Sequence, residues 1–281
     1  MRGKHKIAII GVGLLGGSLA RALRRNGGWE IVGWNHRASS RRRAAKLLRV
    51  APTLEAAVRG ARVVVLCAHS LAVWKLLQEI LPWLGKDTLV LDVSSLKKNL
   101  ADRATTLAGL QGRFVPCHPM AGKEQSGPEA SDADLYRDRW VFVTPIPGTP
   151  KRNIARAASI WKSVGARVAV WDPGSHDRRV AVTSHLPHLL ACALTELYGK
   201  RLKTDRVLSA AVGSGFRDST RIAGGHPVMW ADILTLNAPE IGKALAAYRR
   251  RLTELEKDLA RGNRSKWVKF FERSRSIREG L

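Results

Sequence analysis

The chain has 281 residues, with 48 lysines and arginines against 23 aspartates and glutamates, for a formal net charge of +25. That length accommodates one large or two moderate domains with a substantial core. We expect neither a membrane-spanning segment nor a signal peptide, since no apolar run has bilayer length and the first residues lead into a strand pattern. The three cysteines, Cys67, Cys117 and Cys192, are widely spaced, which argues against a disulfide framework or zinc site and favours a reducing cytoplasm.

The excess of positive charge favours anionic ligands. A basic surface attracts anionic substrates and cofactors, and it also attracts nucleic acid non-specifically. The basic residues are scattered along the chain, without the interleaved aromatic residues of a base-stacking surface. We therefore expect no specific nucleic-acid partner. A basic nucleotide-sensing or nucleic-acid-binding protein is the alternative from another functional class.

A strand–turn–helix pattern around three glycines is the most specific local feature. The apolar segment Lys6–Ile10 runs into Gly11, Gly13 and Gly16, and a helical pattern covers Leu15–Arg25. One glycine permits the tight turn, one lets the backbone approach a pyrophosphate, and one permits close packing of helix on strand. The pyrophosphate then lies at the helix N-terminus. The predicted dinucleotide contacts in this turn are Gly11, Gly13, Leu14, Leu15 and Gly16.

Strand and helix patterns continue to alternate after this turn. The predicted strands are Glu30–Trp34, Arg62–Cys67, Thr88–Asp92, Phe114–Pro116, Trp140–Thr144 and Ala166–Trp171. Helical patterns include Arg41–Leu48 and Ile154–Ser163. This alternation predicts one parallel sheet wrapped by helices, an α/β fold of the Rossmann type. We assign residues 1–172 to this dinucleotide-binding domain.

The pattern changes after Asp172, where only helical periodicity follows. The predicted helices are His176–Tyr198, Lys203–Ala211, Met229–Leu236 and Pro239–Ala260. The last of these carries apolar residues at helical spacing with charged residues between them. Helices with a broad apolar face bury it against each other or against a partner. We therefore assign residues 173–281 to an all-α domain that closes over the substrate and forms a homodimer.

The end of the second predicted strand bears on the choice of cofactor. NAD-binding turns place an acidic residue about twenty residues after the glycines, where it binds the ribose. Here that position reads Trp34-Asn35-His36-Arg37-Ala38-Ser39, without a carboxylate. Arg37 suits bidentate pairing with the 2′-phosphate of NADP, assisted by Ser39 and Arg41, although a solvent-facing loop is the alternative. We predict NADP over NAD, with further contacts from Asn35, His36 and the segment Ala68, His69 and Ser70.

Four further polar stretches stand out, at Asp92–Lys97, His118–Gly127, His176–His188 and Gly215–Asp232. Two of them follow predicted strands, where ligands bind in open α/β sheets. The other two lie in the helical region, which is placed to close over the nicotinamide. Each stretch alone has an ordinary explanation as a turn, a kinked helix start or a surface ion pair. Together with the glycine turn they predict an active site.

Two of these stretches resemble the prephenate/arogenate dehydrogenase family of tyrosine biosynthesis. The motifs are His118-Pro-Met-Ala-Gly and Phe216-x-Asp218-x-Thr-Arg221-Ile-Ala, with Trp230 downstream. The resemblance covers essentially the whole chain. It implies NAD(P)-dependent oxidative decarboxylation of a cyclohexadienol, either arogenate to tyrosine, prephenate to 4-hydroxyphenylpyruvate, or both. It also implies a homodimer formed through the helical domain.

The resemblance assigns His118 as the acceptor of the substrate hydroxyl proton, which suits a neutral histidine. Ser95 would orient the same hydroxyl or the histidine, and Arg221 would bind a substrate carboxylate. The surrounding substrate shell would comprise His188, Glu124, Asp218 and Trp230. Because aromatisation of the ring supplies much of the driving force, we expect no metal.

Two departures from the family pattern leave the exact substrate open. Ser94 replaces a common glycine, and the run Gly224-Gly225-His226 is atypical, so that His226 adds a contact near the substrate mouth. A dehydrogenase for an amino-substituted prephenate analogue is one alternative. A β-hydroxyacid dehydrogenase that shares only the nucleotide domain is another, but it leaves the His118 and Arg221 motifs unexplained.

Overall fold

The computed structural model describes residues 5–123 and 125–280, in which strands and helices alternate first and helices alone follow. The strands are β1 (His5–Ile10), β2 (Trp29–Trp34), β3 (Arg49–Val50), β4 (Val63–Leu66), β5 (Leu89–Asp92), β6 (Phe114–Val115), β7 (Cys117–Pro119), β8 (Trp140–Val143) and β9 (Arg167–Val170). This arrangement confirms the predicted fold class.

Twelve α-helices accompany these strands in the described part of the chain. They are α1 (Leu14–Asn26), α2 (Ala38–Ala45), α3 (Leu54–Val58), α4 (Ser70–Ile80), α5 (Lys98–Ala104), α6 (Lys151–Ser163), α7 (Pro173–Val180), α8 (Leu186–Leu202), α9 (Ser214–Thr220), α10 (Pro227–Leu236), α11 (Ala238–Arg261) and α12 (Arg264–Glu279). Five of these helices were not among the predicted ones, namely α3, α4, α5, α9 and α12.

The first six strands form one parallel sheet in the order β3-β2-β1-β4-β5-β6. Alternate side chains of β1 enter apolar clusters on opposite faces, Ile7 and Ile9 on one and Ala8 and Ile10 on the other. Burial on both faces is why these strands are nearly continuous apolar runs. The strand order reverses at β1 and β4, and a crevice at such a point is where open α/β sheets bind ligands.

The prediction of a single sheet is wrong for its last strands. Pro116 separates β6 from β7, and the chain leaves the parallel sheet there. A proline has no N–H to continue the strand ladder. Strand β7 instead pairs antiparallel with β8, with His118 opposite Phe142, and β8 pairs parallel with β9. This second, three-stranded sheet carries His118.

The predicted helix His176–Tyr198 is also interrupted. Helix α7 ends at Val180, and Ala181–His185 form a single π-helical turn before α8 begins. Pro187, in the first turn of α8, has no N–H for the regular helical bond, which favours such an irregular turn. The turn leaves His185 and His188 buried on the inner side of the helical region.

The stretch Pro173–Leu202 corrects the expectation that no segment has bilayer length. By length and composition it is apolar enough to cross a membrane, and a third of its most apolar window is buried inside the protein. The stretch also contains Asp177, which is buried and accepts hydrogen bonds from the start of α5. A core helix of a folded domain passes the same length test, so the feature is weak evidence for a membrane span.

Candidate active site

The glycine turn between β1 and α1 has the shape that a dinucleotide requires. Gly11 has φ of +99°, and a Cβ on it would lie 2.2 Å from the Cys67 carbonyl oxygen. A Cβ on Gly16 would lie 2.3 Å from the Gly11 carbonyl oxygen, so both positions exclude a side chain. A Cβ on Gly13 would meet nothing within 4 Å, because this residue faces the open cleft. The backbone is therefore accessible to a pyrophosphate at the N-terminus of α1.

A cleft of about 370 Å³ lies over this turn. It brings together all eight residues predicted there, Gly11, Gly13, Leu14, Leu15, Gly16, Ala68, His69 and Ser70. The helical region forms the opposite wall through α10. His69 Nδ1 lies 2.9 Å from Asp232 Oδ2, which links the loop before α4 to α10 across the cleft. The cleft is thus walled by both regions of the chain.

The predicted residues after β2 lie beside this cleft and do not line it. The Asn35 side chain is buried and holds the glycine turn, since Oδ1 accepts a 2.6 Å hydrogen bond from the Val12 N–H. His36, Arg37 and Ser39 are exposed at the N-terminus of α2. Contact of all four residues with the cofactor stays a prediction.

Arg41 is engaged in a structural role in the same loop. Its guanidinium donates to the carbonyl oxygens of Asn35, at 2.9 Å, and His36, at 2.8 Å. These bonds fix the backbone that follows β2. Arg37, in contrast, is exposed immediately before α2, where its guanidinium is accessible to a phosphate.

A fully buried ion pair closes the carboxyl end of β5. Lys97 Nζ lies 2.7 Å from Asp92 Oδ2 and also donates to the Cys117 carbonyl oxygen at 2.7 Å. Asp92 further accepts from the backbone N–H groups of Ser94 and Cys117 and from the Ser94 hydroxyl. Such complete hydrogen bonding is what makes a buried charge pair tolerable. The pair ties β5 to β7 and so fixes the strand that carries His118.

This network explains the two adjacent serines. Both serines line the first cleft, and the Ser94 hydroxyl is turned into the ion pair. The expected role of Ser95, to orient the substrate hydroxyl or His118, stays a prediction. No role was expected for Asp92 or Lys97. The available signal was a buried apolar strand that ends in a carboxylate, with a lysine five residues later.

His118 lies on β7 with only 9% of its surface exposed. Its Nδ1 is 2.9 Å from Nε2 of His176, and Nδ1 of His176 is 2.7 Å from Asp177 Oδ1. Burial, reinforced by His176, Lys97 and His185, holds the pKa of His118 well below its ordinary value. Burial also lowers the pKa of His176. His118 is therefore a neutral imidazole at neutral pH, as a general base requires.

A second cleft, of about 1040 Å³, adjoins the first between the glycine turn and the helical region. The two clefts share part of their lining, namely Gly13, Leu14, His226 and Met229. Arg221, His188 and Trp230, the predicted substrate contacts, line the second cleft. His226 lines both clefts. Contact of these residues with the substrate stays a prediction.

Two predicted members of the substrate shell are not placed there by the structure. Asp218 is exposed on α9 and lines neither cleft. Glu124 lies outside the described residues, although its neighbours Lys123 and Gln125 line the second cleft. His176 and Asp177 were noted in the sequence without a role, and only their position beside His118 reveals one.

Comparison with known proteins agrees with this geometry. Residues 19–170 match the family model "Prephenate dehydrogenase, nucleotide-binding domain", and residues 172–273 match "Prephenate dehydrogenase, dimerization domain". The chain is 34% identical over 289 residues to a cyclohexadienyl dehydrogenase of Zymomonas mobilis, covering 99% of this chain and 96% of that relative.

Two solved structures extend the similarity to the fold. A prephenate dehydrogenase from A. aeolicus, in complex with hydroxyphenyl propionate and NAD+, has a TM-score of 0.91 at 30% identity and covers 99% of this chain and 98% of its own. A Synechocystis arogenate dehydrogenase has a TM-score of 0.82 at 28% identity, with 98% and 99% covered. These matches confirm the resemblance found in the sequence. The chain therefore belongs to the prephenate dehydrogenase family of oxidoreductases, and its cofactor is a nicotinamide dinucleotide.

Proposed function

We propose that the protein catalyses the NADP-dependent oxidative decarboxylation of a cyclohexadienol, converting arogenate to tyrosine, prephenate to 4-hydroxyphenylpyruvate, or both. The observation that carries this proposal is a pair of adjoining clefts at the glycine turn, together with a buried histidine of lowered pKa on the neighbouring strand β7. His118 itself lines neither cleft, but Lys97 ties its strand to Ser94 of the first cleft. One cleft has the glycine turn of a dinucleotide site, and the other is lined by an arginine and a stacked aromatic pair. The names of the relatives support the same reaction class.

His118 and Ser95 carry the proton chemistry of this proposal. A nicotinamide cofactor in the first cleft would supply the acceptor for the hydride of the ring carbon that bears the hydroxyl. His118 accepts the hydroxyl proton, because its neutral imidazole has a free lone pair near neutral pH. Ser95, on the cofactor cleft, orients the hydroxyl. Carbon dioxide then leaves, and the electron pair of the broken C–C bond passes through the ring to the oxygen, which takes the proton back from His118 to give the phenol. Aromatisation of the ring supplies the driving force.

The second cleft provides the groups for binding the substrate. Arg221 pairs with a substrate carboxylate, since a planar guanidinium offers two parallel donors. Trp230, stacked on His188, offers a flat aromatic surface of the size of the substrate ring. Arogenate and prephenate differ by an amino or a keto group on the side chain. An amino-substituted prephenate analogue fits the same groups and is the second candidate substrate.

NADP is the proposed cofactor because of the charge at the end of β2. The described residues between Asn35 and Ala45 contain no carboxylate, and Arg37 and Ser39 are exposed at the start of α2. A carboxylate there would repel the 2′-phosphate, whereas a guanidinium and a helix N-terminus attract it.

The helical domain, which we place after Asp172, is proposed to form a homodimer. Large apolar side chains remain exposed along it, namely Leu194, Leu197, Leu245, Leu252 and Leu259. An apolar surface of this kind favours burial against a partner. The matching family model is named a dimerization domain, which supports a second copy of this chain as that partner.

The test is formation of the reduced cofactor by the purified protein, with prephenate and arogenate each combined with NADP and NAD. Turnover with NADP and either substrate is expected. The matched control is His118→Asn, which should lower kcat by roughly 10²–10⁴ while cofactor affinity is retained, as loss of a general base does. Folded protein that binds NADP but is silent in all four combinations would contradict the proposal.

A further inference from the structure

Beside the predicted base lies a chain of three hydrogen-bonded side chains. Asp177 Oδ1 is 2.7 Å from His176 Nδ1, and His176 Nε2 is 2.9 Å from His118 Nδ1. His176 and Asp177 begin the helical region on α7, whereas His118 lies on β7. We propose that His176 and Asp177 are positioning residues that hold the proton of neutral His118 on Nδ1 and leave Nε2 free to accept the substrate proton. This inference rests on the proposed role of His118 as the base.

The direction of the chain follows from the groups around Asp177. Its carboxylate also accepts from the backbone N–H groups of Lys97, at 3.0 Å, and Lys98, at 2.9 Å. An ionised carboxylate is an acceptor only, so Nδ1 of His176 must carry a proton and donate it. A neutral imidazole has one N–H, so Nε2 of His176 is an acceptor.

The position of the proton on His118 follows in the same way. Its Nδ1 faces the acceptor Nε2 of His176, so Nδ1 must carry the proton and donate it. With one proton on a neutral ring, Nε2 of His118 has the free lone pair. The opposite tautomer would place two lone pairs 2.9 Å apart inside the protein. The tautomer of His118 is thus determined by the carboxylate of Asp177, which acts through His176.

Packing prevents this arrangement from relaxing. His176 is fully buried, with the Phe142 ring edge-on at a centroid distance of 5.7 Å and the Trp171 ring at 6.4 Å. Phe142 and Trp171 stack on each other at 3.8 Å. The imidazole therefore cannot rotate freely to exchange its two nitrogens. Rigid support of this type is what keeps a catalytic group oriented.

Burial is the main cause of the lowered pKa of His118, and the charged groups around it lower the pKa further. Lys97 lies on one side, paired with Asp92 of β5, and His185 lies on the side of the π-helical turn. The positive charge of Lys97 lowers the pKa of His118. The carboxylate of Asp177 favours a proton on Nδ1 of His176. In turnover, the hydroxyl proton comes to Nε2 of His118. The resulting imidazolium keeps its Nδ1 proton, which it still donates to His176.

The first test reads the tautomer directly. Nitrogen-15 NMR of histidine-labelled protein distinguishes a protonated from an unprotonated ring nitrogen, and the His118 signals are assigned by their loss in His118→Asn. We expect Nδ1 of His118 to be protonated and Nε2 to be unprotonated in the wild type near pH 7.5. A proton on Nε2 would overturn the inference. The measurement needs no substrate, so it decides the matter even if the proposed reaction is not found.

The second test separates positioning from simple structural support. His176→Gln retains an acceptor for the Nδ1 proton of His118, whereas His176→Leu has similar bulk and none. We expect kcat to fall by on the order of 10²–10³ in His176→Leu and to be largely restored in His176→Gln, with KM and cofactor affinity little changed. Equal activity of the two variants, both folded by thermal unfolding, would contradict the role of His176.

Asp177→Asn should reverse the direction of the hydrogen bonds that join residue 177 to His176 and His176 to His118. The amide can donate to Nδ1 of His176, which moves the proton of each ring to its other nitrogen. We expect the His118 proton to appear on Nε2 and kcat to fall by about 10²–10⁴, as loss of the orienting carboxylate does in a serine-protease triad. An unchanged tautomer in the folded variant would remove Asp177 from the inference. If this variant does not fold, the wild-type nitrogen-15 spectrum and the comparison of His176→Gln with His176→Leu still test the inference.

Discussion

The imidazole of His188 lies flat against the indole of Trp230, with ring centroids 3.4 Å apart and ring planes 9° apart. The two rings come from α8 and α10, and together they form one wall of the second cleft. Gly225 lies against the same pair. A Cβ on it would be 2.4 Å from Trp230 Nε1 and 2.9 Å from His188 Cε1. The glycine therefore sets how close the stack lies to the backbone.

Gly225→Ala tests the importance of this stack. The backbone has φ of −64° there, so alanine meets no backbone strain and the effect is steric. The rigid indole must shift, and we expect KM for the cyclohexadienol to rise by roughly 10-fold, since small misplacements of a binding surface are costly. Gly215→Ala, on α9, is the matched control, because its Cβ meets nothing within 4 Å and the residue lines neither cleft. Equal KM values for the two variants would show that the Trp230 position is unimportant.

Arg221→Ala tests recognition of the substrate carboxylate. Loss of a charge-assisted hydrogen bond that is present in both the ground and transition states raises KM with little effect on kcat. We expect KM to rise on the order of 10- to 100-fold, measured by initial rates. Arg217→Ala removes an exposed arginine of α9 that lines neither cleft, and it should leave KM unchanged. A similar KM in both variants would remove Arg221 from substrate binding.

Arg37→Asp tests the choice between NADP and NAD. The new carboxylate repels the 2′-phosphate and offers a partner to the ribose hydroxyls of NAD. We expect the ratio of kcat/KM for NADP to that for NAD to fall by about 100-fold, from the loss of one strong ionic contact and the gain of repulsion. Arg42→Asp makes the same change of charge one turn along α2. The same shift in both variants would indicate a general effect of net charge.

Acid should destabilise the folded protein through its buried histidines. The pKa of His185 is lowered by burial to about 4, and burial also lowers the pKa values of His118, His176 and His188. Below about pH 6.5 the unfolded chain binds protons that the folded protein does not, so the free energy of unfolding falls with falling pH. For His185 alone the loss is about 2 kcal/mol at pH 5.

Urea unfolding at about pH 7.5 and about pH 5 measures this loss. His185→Gln has no titrating group, so the difference between the two pH values should shrink by about 2 kcal/mol. An unchanged pH dependence in His185→Gln would mean that this imidazole is protonated as readily in the folded protein as in the unfolded chain.

Local patterns in the sequence were sufficient for the nucleotide-binding turn. The requirements on Gly11, Gly13 and Gly16 are steric and act between neighbours in one strand–turn–helix unit, so the spacing alone predicts them. The position of Ser95 after a buried strand was predictable for the same reason. The motifs around His118 and Arg221 contribute Gly122 and Arg221 to the lining of the second cleft, whereas His118 itself lines neither cleft.

The tertiary structure decided how those motifs meet. Pro116 ends the parallel sheet, and the separate small sheet then places His118 next to α7. There His118 contacts His176, which in turn contacts Asp177. The spacing of apolar residues in the sequence does not indicate a contact between His118 and His176, which are 58 positions apart. The tautomer of a neutral histidine depends on which group faces each ring nitrogen, and that is fixed only when β7 and α7 pack together. The sequence by itself determined the fold class and the nucleotide-binding turn, whereas packing of distant segments determined the hydrogen-bond partner of His118 and the lowering of its pKa.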